Sequence, residues 1–358
     1  MIKKISVTNL NGSLTKEIEF HKDLNIFTGK NGSGKTNLLK MIWYLISGNI
    51  EFAISEVDFE DVLLETDEYK LSIKNHILDG RKKSQISFTA NEANESKQKD
   101  FDPSKEDDTV DEMNQLVVEK IKSSIFFPSF RRIEGSFAEK ESTRYRLRSR
   151  SKVYDGLRNS MKEFADRLSV YDHKFISSIS TDDIKEYTFQ TLAKISESTD
   201  EKSQEYFSFI IKLIEEDKDT PKKIISKIKS KIENYNEVRD IIREPFLQMF
   251  SLVTEVFKYK GVKFSESVIF GDDKNAINSD RLSSGEKQML SFLCYGSFYS
   301  NCPIFIDEPE LSLHVDWQRS LFDILLKSNS NQYIISTHSP FIYSQYPDKE
   351  FQISSDRG

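Results

Sequence analysis

A glycine-rich stretch near the amino terminus, residues 29–36, constrains the fold of this chain more than any other segment. It reads Gly-Lys-Asn-Gly-Ser-Gly-Lys-Thr and fits the pattern GxxxxGK[ST]. The apolar segment Leu24–Thr28 precedes it, and residues 37–46 follow with leucines and isoleucines at helical spacing. A strand, a glycine-rich turn and a helix in this order predict a phosphate-binding loop in an α/β fold.

The residue types in this loop suit nucleotide phosphates with a metal ion beside them. Glycines let backbone N–H groups converge on an anion, and the helix adds the partial positive charge of its amino end. The lysine can reach the β- and γ-phosphates, and the threonine hydroxyl is available to Mg²⁺. A glycine-rich turn without a ligand is the alternative, and three later motifs disfavour it. The predicted binding residues are Gly29, Asn31, Gly32, Ser33, Gly34, Lys35 and Thr36.

A second motif follows the apolar segment Pro303–Ile306, which reads as a buried strand. Two carboxylates come next, Asp307 and Glu308, in the Walker B pattern. An acidic pair at a strand end often only caps a helix. Together with Lys35 and Thr36, however, it predicts Asp307 as a ligand of Mg²⁺ and Glu308 as the catalytic group that polarises the attacking water.

The segment Leu282–Gln288, Leu-Ser-Ser-Gly-Glu-Lys-Gln, places serines and a glycine before a predicted helix. Such a segment can form a second anion cradle, or it can simply be a serine-capped helix start. It resembles the LSGGQ signature of ABC-type ATPases. In that family the signature faces the γ-phosphate held by a second subunit. The resemblance assigns this role to Ser283, Ser284, Gly285 and Glu286.

Two further segments are similar to the same family. Ser336–Pro340, Ser-Thr-His-Ser-Pro, looks like the switch-histidine segment, which implies that His338 contacts the γ-phosphate as a catalytic residue. Pro309–Gln318 occupies the position of the D-loop, which the family places at the subunit interface. The resemblance makes Ser312 and His314 contacts across that interface, although His314 could equally cap or pack against a helix.

Within this superfamily the chain resembles the heads of SMC, RecF and OLD-type ATPases more than transporter subunits. The run Asp307–His314 and the switch segment are especially like OLD-type and related bacterial defence ATPases, and residues 126–135 resemble those proteins as well. The resemblance implies ATP and Mg²⁺ as cofactors and ATP hydrolysis as the reaction. It also implies a homodimer, or a higher homo-oligomer, closed around ATP.

The chain departs from the family patterns in three places. We expect no TOPRIM nuclease domain, because the sequence ends at Gly358, shortly after the switch segment. Apolar heptads do not persist in the helical region, which predicts a compact insert rather than a long coiled coil. The glutamine that usually bridges water and Mg²⁺ has no evident counterpart. Arg131 or Arg132, at about that place in the order, could contact phosphate or adenine, or pair with acids.

The predicted fold class is α/β: an ABC-type ATPase head with a mostly parallel sheet, a flanking antiparallel β layer and a helical insert. The predicted domains are a first ATPase lobe over 1–140, the insert over 141–260 and a second lobe over 261–358. Several local expectations complete this picture. They are antiparallel strands over 50–90 with a turn at Asp79-Gly80, a solvated acidic loop over 91–111, helical segments at 112–122, 161–168, 187–195, 206–214 and 224–235, a cap at Thr220 and a break at Pro245.

Composition bounds the class of protein. The chain is 37% hydrophobic with a net charge of −7, and no apolar run reaches the roughly 20 residues of a membrane span, which predicts a cytoplasmic protein without a membrane partner. Cys294 and Cys302 read as buried thiols. The basic run 144–152 could follow a phosphate backbone, dock an acidic protein or simply be solvated.

The leading functional hypothesis follows from the resemblance. It is an ATPase that acts as sensor or scaffold in bacterial anti-phage defence, by analogy with PARIS and Septu systems. It would control a separately encoded nuclease or toxin and respond to DNA or a phage protein as trigger. The alternative is a RecF- or SMC-like DNA-repair ATPase that binds DNA, and a transporter energiser is the third and weakest hypothesis.

Overall fold

The structure is a computed structural model in which the described part of the chain forms two compact units. The first unit comprises Met1–Ile179, Ser283–Met289 and Tyr299–Gly358, and the second comprises Ser180–Leu282 and Leu290–Phe298. The predicted domain boundaries remain a prediction. The described residues are 1–78, 81–92, 96–105, 109–129, 131–133, 160–179, 181–216, 221–257, 262–264, 268–272, 275–276, 282–327 and 330–354.

The first unit contains a parallel and an antiparallel sheet, and the second is mainly helical. The strands are β1 (Ile2–Leu10), β2 (Leu14–Glu19), β3 (Leu24–Thr28), β4 (Asp61–Thr66), β5 (Tyr69–Leu78), β6 (Arg81–Ala90), β7 (Ser96–Phe101), β8 (Ser123–Phe127), β9 (Arg132–Ile133), β10 (Asp172–Phe175), β11 (Ser178–Ile179), β12 (Val262–Phe264), β13 (Val268–Asp272), β14 (Asn275–Ala276), β15 (Pro303–Asp307), β16 (Gln332–Ser336) and β17 (Glu350–Gln352). The helices are α1 (Lys35–Ile46), α2 (Ile50–Glu56), α3 (Asp111–Lys120), α4 (160–168), α5 (Thr181–Glu216), α6 (Pro221–Val256), α7 (Ser284–Phe298), α8 (Val315–Leu325) and α9 (Pro340–Tyr343).

The parallel sheet has the strand order β10-β8-β15-β16-β3-β17, and its neighbouring strands are all parallel. Ser336 pairs with Phe27 on one side and with Asp307 on the other, so the carboxyl ends of β3, β16 and β15 lie level. Loops that follow parallel strands meet at one edge of the sheet, which is where such sheets bind ligands. The predicted parallel sheet is therefore confirmed, with the sequence motifs at its carboxyl edge.

The antiparallel sheet has the order β2-β1-β4-β5-β6-β7, which confirms the predicted antiparallel layer. Two local expectations are wrong. Residues 50–56 form α2 rather than a strand, because Ile50, Ala53 and Ile54 are buried at helical spacing. Part of the predicted acidic loop is strand β7, which pairs with β6 through residues 96–101. The predicted turn at residues 79–80 lies outside the described residues.

Helix α1 is buried on nearly all sides within the core of the first unit, and this fixes the end of the glycine-rich loop. Its side chains from Leu38 to Ile46 are buried except for that of Lys40. The Trp43 ring packs on Phe126 and Phe175, with ring centroids 5.4 and 5.5 Å away. Its indole N–H donates to Ser124 Oγ at 3.0 Å. A helix anchored on the β8 and β10 strands in this way holds its amino end in a fixed position.

In the second unit, α5 and α6 each span 36 residues, or roughly 54 Å, and pack against each other. The sequence predicted several shorter helices here. A break at Pro245 is also wrong, because α6 continues through it despite the missing backbone N–H. Helix α6 begins at Pro221; its predicted cap Thr220 and the basic run 144–152 lie outside the described residues. Strands β12, β13 and β14 form a small antiparallel sheet.

Two predictions from composition can be compared with the structure. Cys294 and Cys302 are buried, as predicted, and burial raises the pKa of each thiol to about 12. Among the described helices, none combines the length and the apolar character that crossing a bilayer requires.

Candidate functional site

The glycine-rich loop connects β3 to α1, and its glycines adopt backbone conformations with positive φ. Gly34 is the residue before α1 and has φ of 94°, a left-handed conformation that other residues adopt only with strain. Gly29 has φ of 145°, and a Cβ atom there would lie 2.7 Å from Ser354 Oγ. Ser354 Oγ also accepts a hydrogen bond from Lys30 N at 3.0 Å. The loop is therefore held from outside by the segment after β17.

Two side chains inside the loop are suited to an anion. Lys35 Nζ donates to the carbonyl oxygens of Gly29 and Lys30, at 2.7 and 2.9 Å. Burial lowers the pKa of Lys35, while Asp307 and other nearby carboxylates oppose that shift. Ser33 Oγ is buried and has no hydrogen-bond partner among the described residues. A buried hydroxyl without a partner fits a site built to receive phosphate oxygens.

Thr36 and Asp307 meet at the end of the sheet. The Thr36 hydroxyl lies 3.0 and 3.2 Å from the two carboxylate oxygens of Asp307, which is fully buried. A hydroxyl and a carboxylate are oxygen ligands that Mg²⁺ accepts when phosphates and waters complete its shell. No group of three or more His, Cys, Asp or Glu in the described part of the chain could hold a metal ion. The Thr36 hydroxyl and the Asp307 carboxylate fit a Mg²⁺ ion whose other ligands are phosphate and water oxygens.

Glu308 lies beside this pair in a left-handed conformation, with φ of 50°. Its backbone N–H donates to Ser336 O at 2.8 Å, which ties it to the neighbouring strand. Burial raises the pKa of Glu308, and the like charges of Asp307 and Glu310 raise it further. One cavity at the sheet edge is lined by the loop residues 31–37 together with Asn11, Glu308 and His338.

Arg131 supports the backbone of both acidic residues. Its Nη1 donates to Pro128 O and Asp307 O, each at 2.8 Å, and its Nη2 donates to Glu308 O at 3.1 Å. Burial lowers its pKa to about 10. Arg131 thus forms a fork to three main-chain carbonyls, and its contact with phosphate or adenine stays a prediction. The Arg132 side chain lies outside the described residues.

The switch segment is held by Glu310. Its Oε2 accepts from Thr337 Oγ1 at 2.8 Å, and its Oε1 accepts from His338 N at 2.7 Å. A third bond ties the switch segment to α8, because Ser339 Oγ donates to Gln318 Oε1 at 2.6 Å. Burial lowers the pKa of His338, and the positive charge of Lys35 lowers it further. The imidazole is therefore neutral over a wider pH range than that of an exposed histidine.

The signature-like segment begins α7 with a capping box. Ser283 Oγ accepts from Glu286 N at 3.3 Å, and Glu286 Oε2 accepts from Ser283 N at 2.7 Å. The serine-capped helix start, which was the alternative to an anion cradle, is thus present. Ser283 is nevertheless exposed, whereas Gly285 is buried so tightly that a Cβ atom would lie 2.3 Å from Ser312 O. Ser284 is the first residue of the helix.

The two predicted D-loop residues lie on the surface of the first unit. His314 precedes α8, and its Nδ1 accepts from Asp316 N at 3.4 Å, so it has the capping role that was one of its two alternatives. Ser312 has φ of 65° and is exposed. A contact of either residue with a second subunit stays a prediction.

The structure therefore brings most of the predicted residues to one edge of the parallel sheet. These are Gly29, Asn31, Gly32, Ser33, Gly34, Lys35, Thr36, Asp307, Glu308 and His338. Ser283, Ser284, Gly285, Glu286, Ser312 and His314 do not line that cavity. Sequence reasoning missed Asn11 and Glu310 as site residues, and it did not identify the main-chain carbonyls that Arg131 binds. Asn11 contacts the first turn of α1, since its Oδ1 accepts from Asn37 Nδ2 at 2.9 Å.

The parallel sheet and the glycine-rich loop with its opposing carboxylates define a P-loop ATPase. The chain belongs to the AAA_15 family, described as an AAA ATPase domain, whose model matches residues 1–343. With the two sheets of the first unit, this membership confirms the predicted α/β ATPase fold, in which a parallel sheet is accompanied by an antiparallel layer.

Short matches to curated relatives and a remote structural likeness accompany this family match. Over 45 residues the chain is 44% identical to the DNA replication and repair protein RecF of Phocaeicola vulgatus and 49% identical to that of Parabacteroides distasonis. Each match spans 13% of this chain and 12% of the relative. The Smc head domain of Pyrococcus furiosus, crystallised with the C-terminal domain of ScpA, is similar over 96% of this chain and 91% of its own, with 16% identity and a TM-score of 0.41.

Proposed function

We propose that this chain hydrolyses ATP at the carboxyl edge of its parallel sheet, with Mg²⁺ as cofactor. The phosphate loop binds the triphosphate through its backbone N–H groups, Lys35 and the Ser33 hydroxyl. Thr36 and Asp307 hold the metal ion, which when bound neutralises charge on the β- and γ-phosphates. Their contact at 3.0 Å is the observation that carries the proposal.

Glu308 and His338 supply the remaining chemistry in this proposal. Glu308 accepts a proton from the attacking water, a role that suits a carboxylate whose pKa is raised by burial and by its acidic neighbours. His338 lies on the same cavity wall and donates a hydrogen bond to the γ-phosphate from its neutral ring. The test is the release of phosphate from ATP by the purified chain, with and without Mg²⁺. A Lys35→Ala variant is the control for contaminating activity.

We further propose that two copies close around ATP. The exposed Ser283 at the start of α7, and the likeness of residues 282–288 to the ABC signature, support a cradle for nucleotide bound by a partner copy. Light scattering of a hydrolysis-deficient variant, with and without ATP, tests this assembly. A mass that does not change with ATP would contradict it.

The proposed biological role is that of a sensor or scaffold in bacterial anti-phage defence, acting on a separately encoded nuclease or toxin. Its support is the likeness of Asp307–His314 and Ser336–Pro340 to bacterial defence ATPases. The experiment is a phage-plating assay of cells that carry the gene with its genomic neighbours. If an Asp307→Asn variant protects cells as well as the wild type does, protection does not depend on the ATP site.

A RecF- or SMC-like role in DNA repair is the second candidate. The short matches to two RecF proteins favour it. It predicts ATP-dependent DNA binding with a steep dependence on salt, which neutral substitutions in the basic run 144–152 should flatten. DNA binding unaffected by ATP or salt would argue against this candidate.

A further inference from the structure

Glu310 is a carboxylate close to the site that does not itself line the cavity. It lies two residues after Glu308, in the turn between β15 and α8, and is half-buried. Both of its carboxylate oxygens are used, one by the Thr337 hydroxyl and the other by the His338 backbone N–H. A single side chain thus binds the side chain of Thr337 and the backbone of His338.

The turn that carries Glu310 is itself held in place. The carbonyl of Pro309 accepts from Gln288 Nε2 at 2.8 Å, and the carbonyl of Glu310 accepts from Leu313 N at 3.0 Å. Leu313 O in turn accepts from Gln318 Nε2 at 2.9 Å. A carboxylate on so well tethered a turn can fix the position of whatever it binds.

The switch segment needs such an anchor because β16 ends at Ser336. His338 lies two residues beyond the strand, past its last paired residue, so the sheet alone does not determine where its ring points. The bond from His338 N to Glu310 is charge-assisted, which makes it stronger than a bond between neutral groups. Ser339 N donates to Thr337 Oγ1 at 3.0 Å, which extends the same network to the start of α9.

We propose that Glu310 is a positioning residue, which holds His338 so that its imidazole faces the phosphate loop. Glu310 acts on hydrolysis only through His338 and makes no contact with nucleotide. The inference rests on the proposed ATP hydrolysis and adds to it a residue required for turnover but not for binding.

Two substitutions separate position from charge. Glu310→Ala removes both hydrogen bonds and should lower kcat by roughly 10-fold to 100-fold, part of what a transition-state donor contributes, while KM for ATP changes less than about twofold. Glu310→Gln can accept from His338 N and donate to Thr337 Oγ1, so it should restore most of the wild-type kcat. Glu51→Ala is the matched control, since it removes a half-buried carboxylate that accepts from Asn114 Nδ2 and should leave kcat unchanged.

A double-mutant cycle with His338→Ala then tests the route. If Glu310 acts through His338, the double variant should hydrolyse ATP at the rate of His338→Ala alone. A further loss equal to that of the single Glu310→Ala variant would overturn the proposal, as would wild-type kcat in Glu310→Ala. Equal defects in Glu310→Ala and Glu310→Gln would overturn it as well.

A variant that does not fold and a wild-type chain without ATPase activity are treated separately. If Glu310→Ala does not fold, Thr337→Val serves in its place, because it removes one of the two bonds; wild-type kcat in that variant together with a defective Glu310→Gln would overturn the proposal. A wild-type chain that releases no phosphate from ATP would refute the proposed hydrolysis itself.

Discussion

The hydroxyl of Thr36 lies 3.0 Å from Oδ2 of Asp307, although 271 residues separate the two in the chain. Strand β16 lies between β3, which leads into the phosphate loop, and β15, which ends at Asp307. The contact therefore crosses the carboxyl end of β16, which places the switch segment next to both residues. Three motifs far apart in sequence become one site because three parallel strands end at the same level.

Asp307→Asn should abolish the response of the chain to Mg²⁺. The amide keeps the shape of the side chain but is a poor ligand for a hard cation, so we expect hydrolysis to fall by at least about 100-fold. The measurement is phosphate release across a Mg²⁺ titration. Thr199→Ala, which removes a hydroxyl that donates to Ile195 O within α5, is a control that should behave as wild type. An unchanged Mg²⁺ titration in Asp307→Asn would contradict the metal site.

Glu308→Gln should bind ATP and retain it. The substitution removes the proton acceptor and leaves the phosphate loop intact, so turnover should fall by roughly 100-fold or more while affinity persists. Retained nucleotide can be measured after gel filtration, and the mass of the complex by light scattering. Rapid turnover by this variant would remove Glu308 from the role of base.

Ser283→Arg should abolish hydrolysis and leave ATP binding largely intact, if the signature-like segment completes a partner's site. Mixed with Lys35→Ala, it should regain up to roughly a quarter of wild-type activity, because each mixed dimer contains one intact composite site. Ser283→Ala controls for the lost capping box, which costs about 1 kcal/mol of stability. Equal loss of binding and hydrolysis in Ser283→Arg, or no recovery on mixing, would argue against composite sites.

Arg131→Lys should lower both stability and activity. The ammonium cannot reproduce the fork to Pro128, Asp307 and Glu308 carbonyls, and leaving buried acceptors without donors costs about 1–3 kcal/mol each. Urea unfolding measures the loss, and Arg239→Lys, at an exposed pair with Asp240, is the matched control. An unfolding midpoint equal to that of the wild type would show that the fork does not stabilise the fold.

His173 should make the fold sensitive to acid. Its Nε2–H donates to Ile121 O at 2.8 Å and its Nδ1 accepts from Ser124 Oγ at 2.7 Å, a neutral tautomer whose pKa burial lowers to about 4. The unfolded chain binds a proton below about pH 6.5, so this residue's contribution is complete above that pH. It should be lost as the pH falls toward 4, by about 3 kcal/mol in all.

The comparison with His173→Gln isolates that effect. Free energies of unfolding measured in urea from pH 8 to pH 5 should decline more steeply for the wild type than for the variant. If the free energies of the wild type and the variant decline in parallel, His173 has the same pKa in the folded and the unfolded chain.

The sequence was sufficient for the parts of the site that depend on local spacing. Each of three motifs lies at the end of an apolar strand: the phosphate loop, the Asp307-Glu308 pair and the switch segment. The backbone conformation of such a motif follows mainly from its own sequence. It was not sufficient for the contacts of Arg131 and Glu310, because their partners include main-chain groups whose approach is set by packing. A carboxylate that binds a distant backbone N–H has no signature of its own in a single sequence.

Similar reasons explain the errors in the fold. Strand β10 was missed because its four residues, Asp172–Phe175, are too few to show a clear alternation, and only pairing with β8 makes them a strand. The polar composition of residues 96–101 concealed an edge strand, since one face of β7 is open to solvent. In α6, packing against α5 outweighed the local cost of Pro245.

The close contact between Gly29 and Ser354 limits which changes near the end of this sequence the phosphate loop can tolerate. Strand β17 pairs with β3, and Ser354, which follows it, packs behind the phosphate loop. Residues 350–354 therefore support that loop. A deletion after Lys349, or a bulky residue at 354, would thus disturb nucleotide handling while leaving every recognisable motif intact.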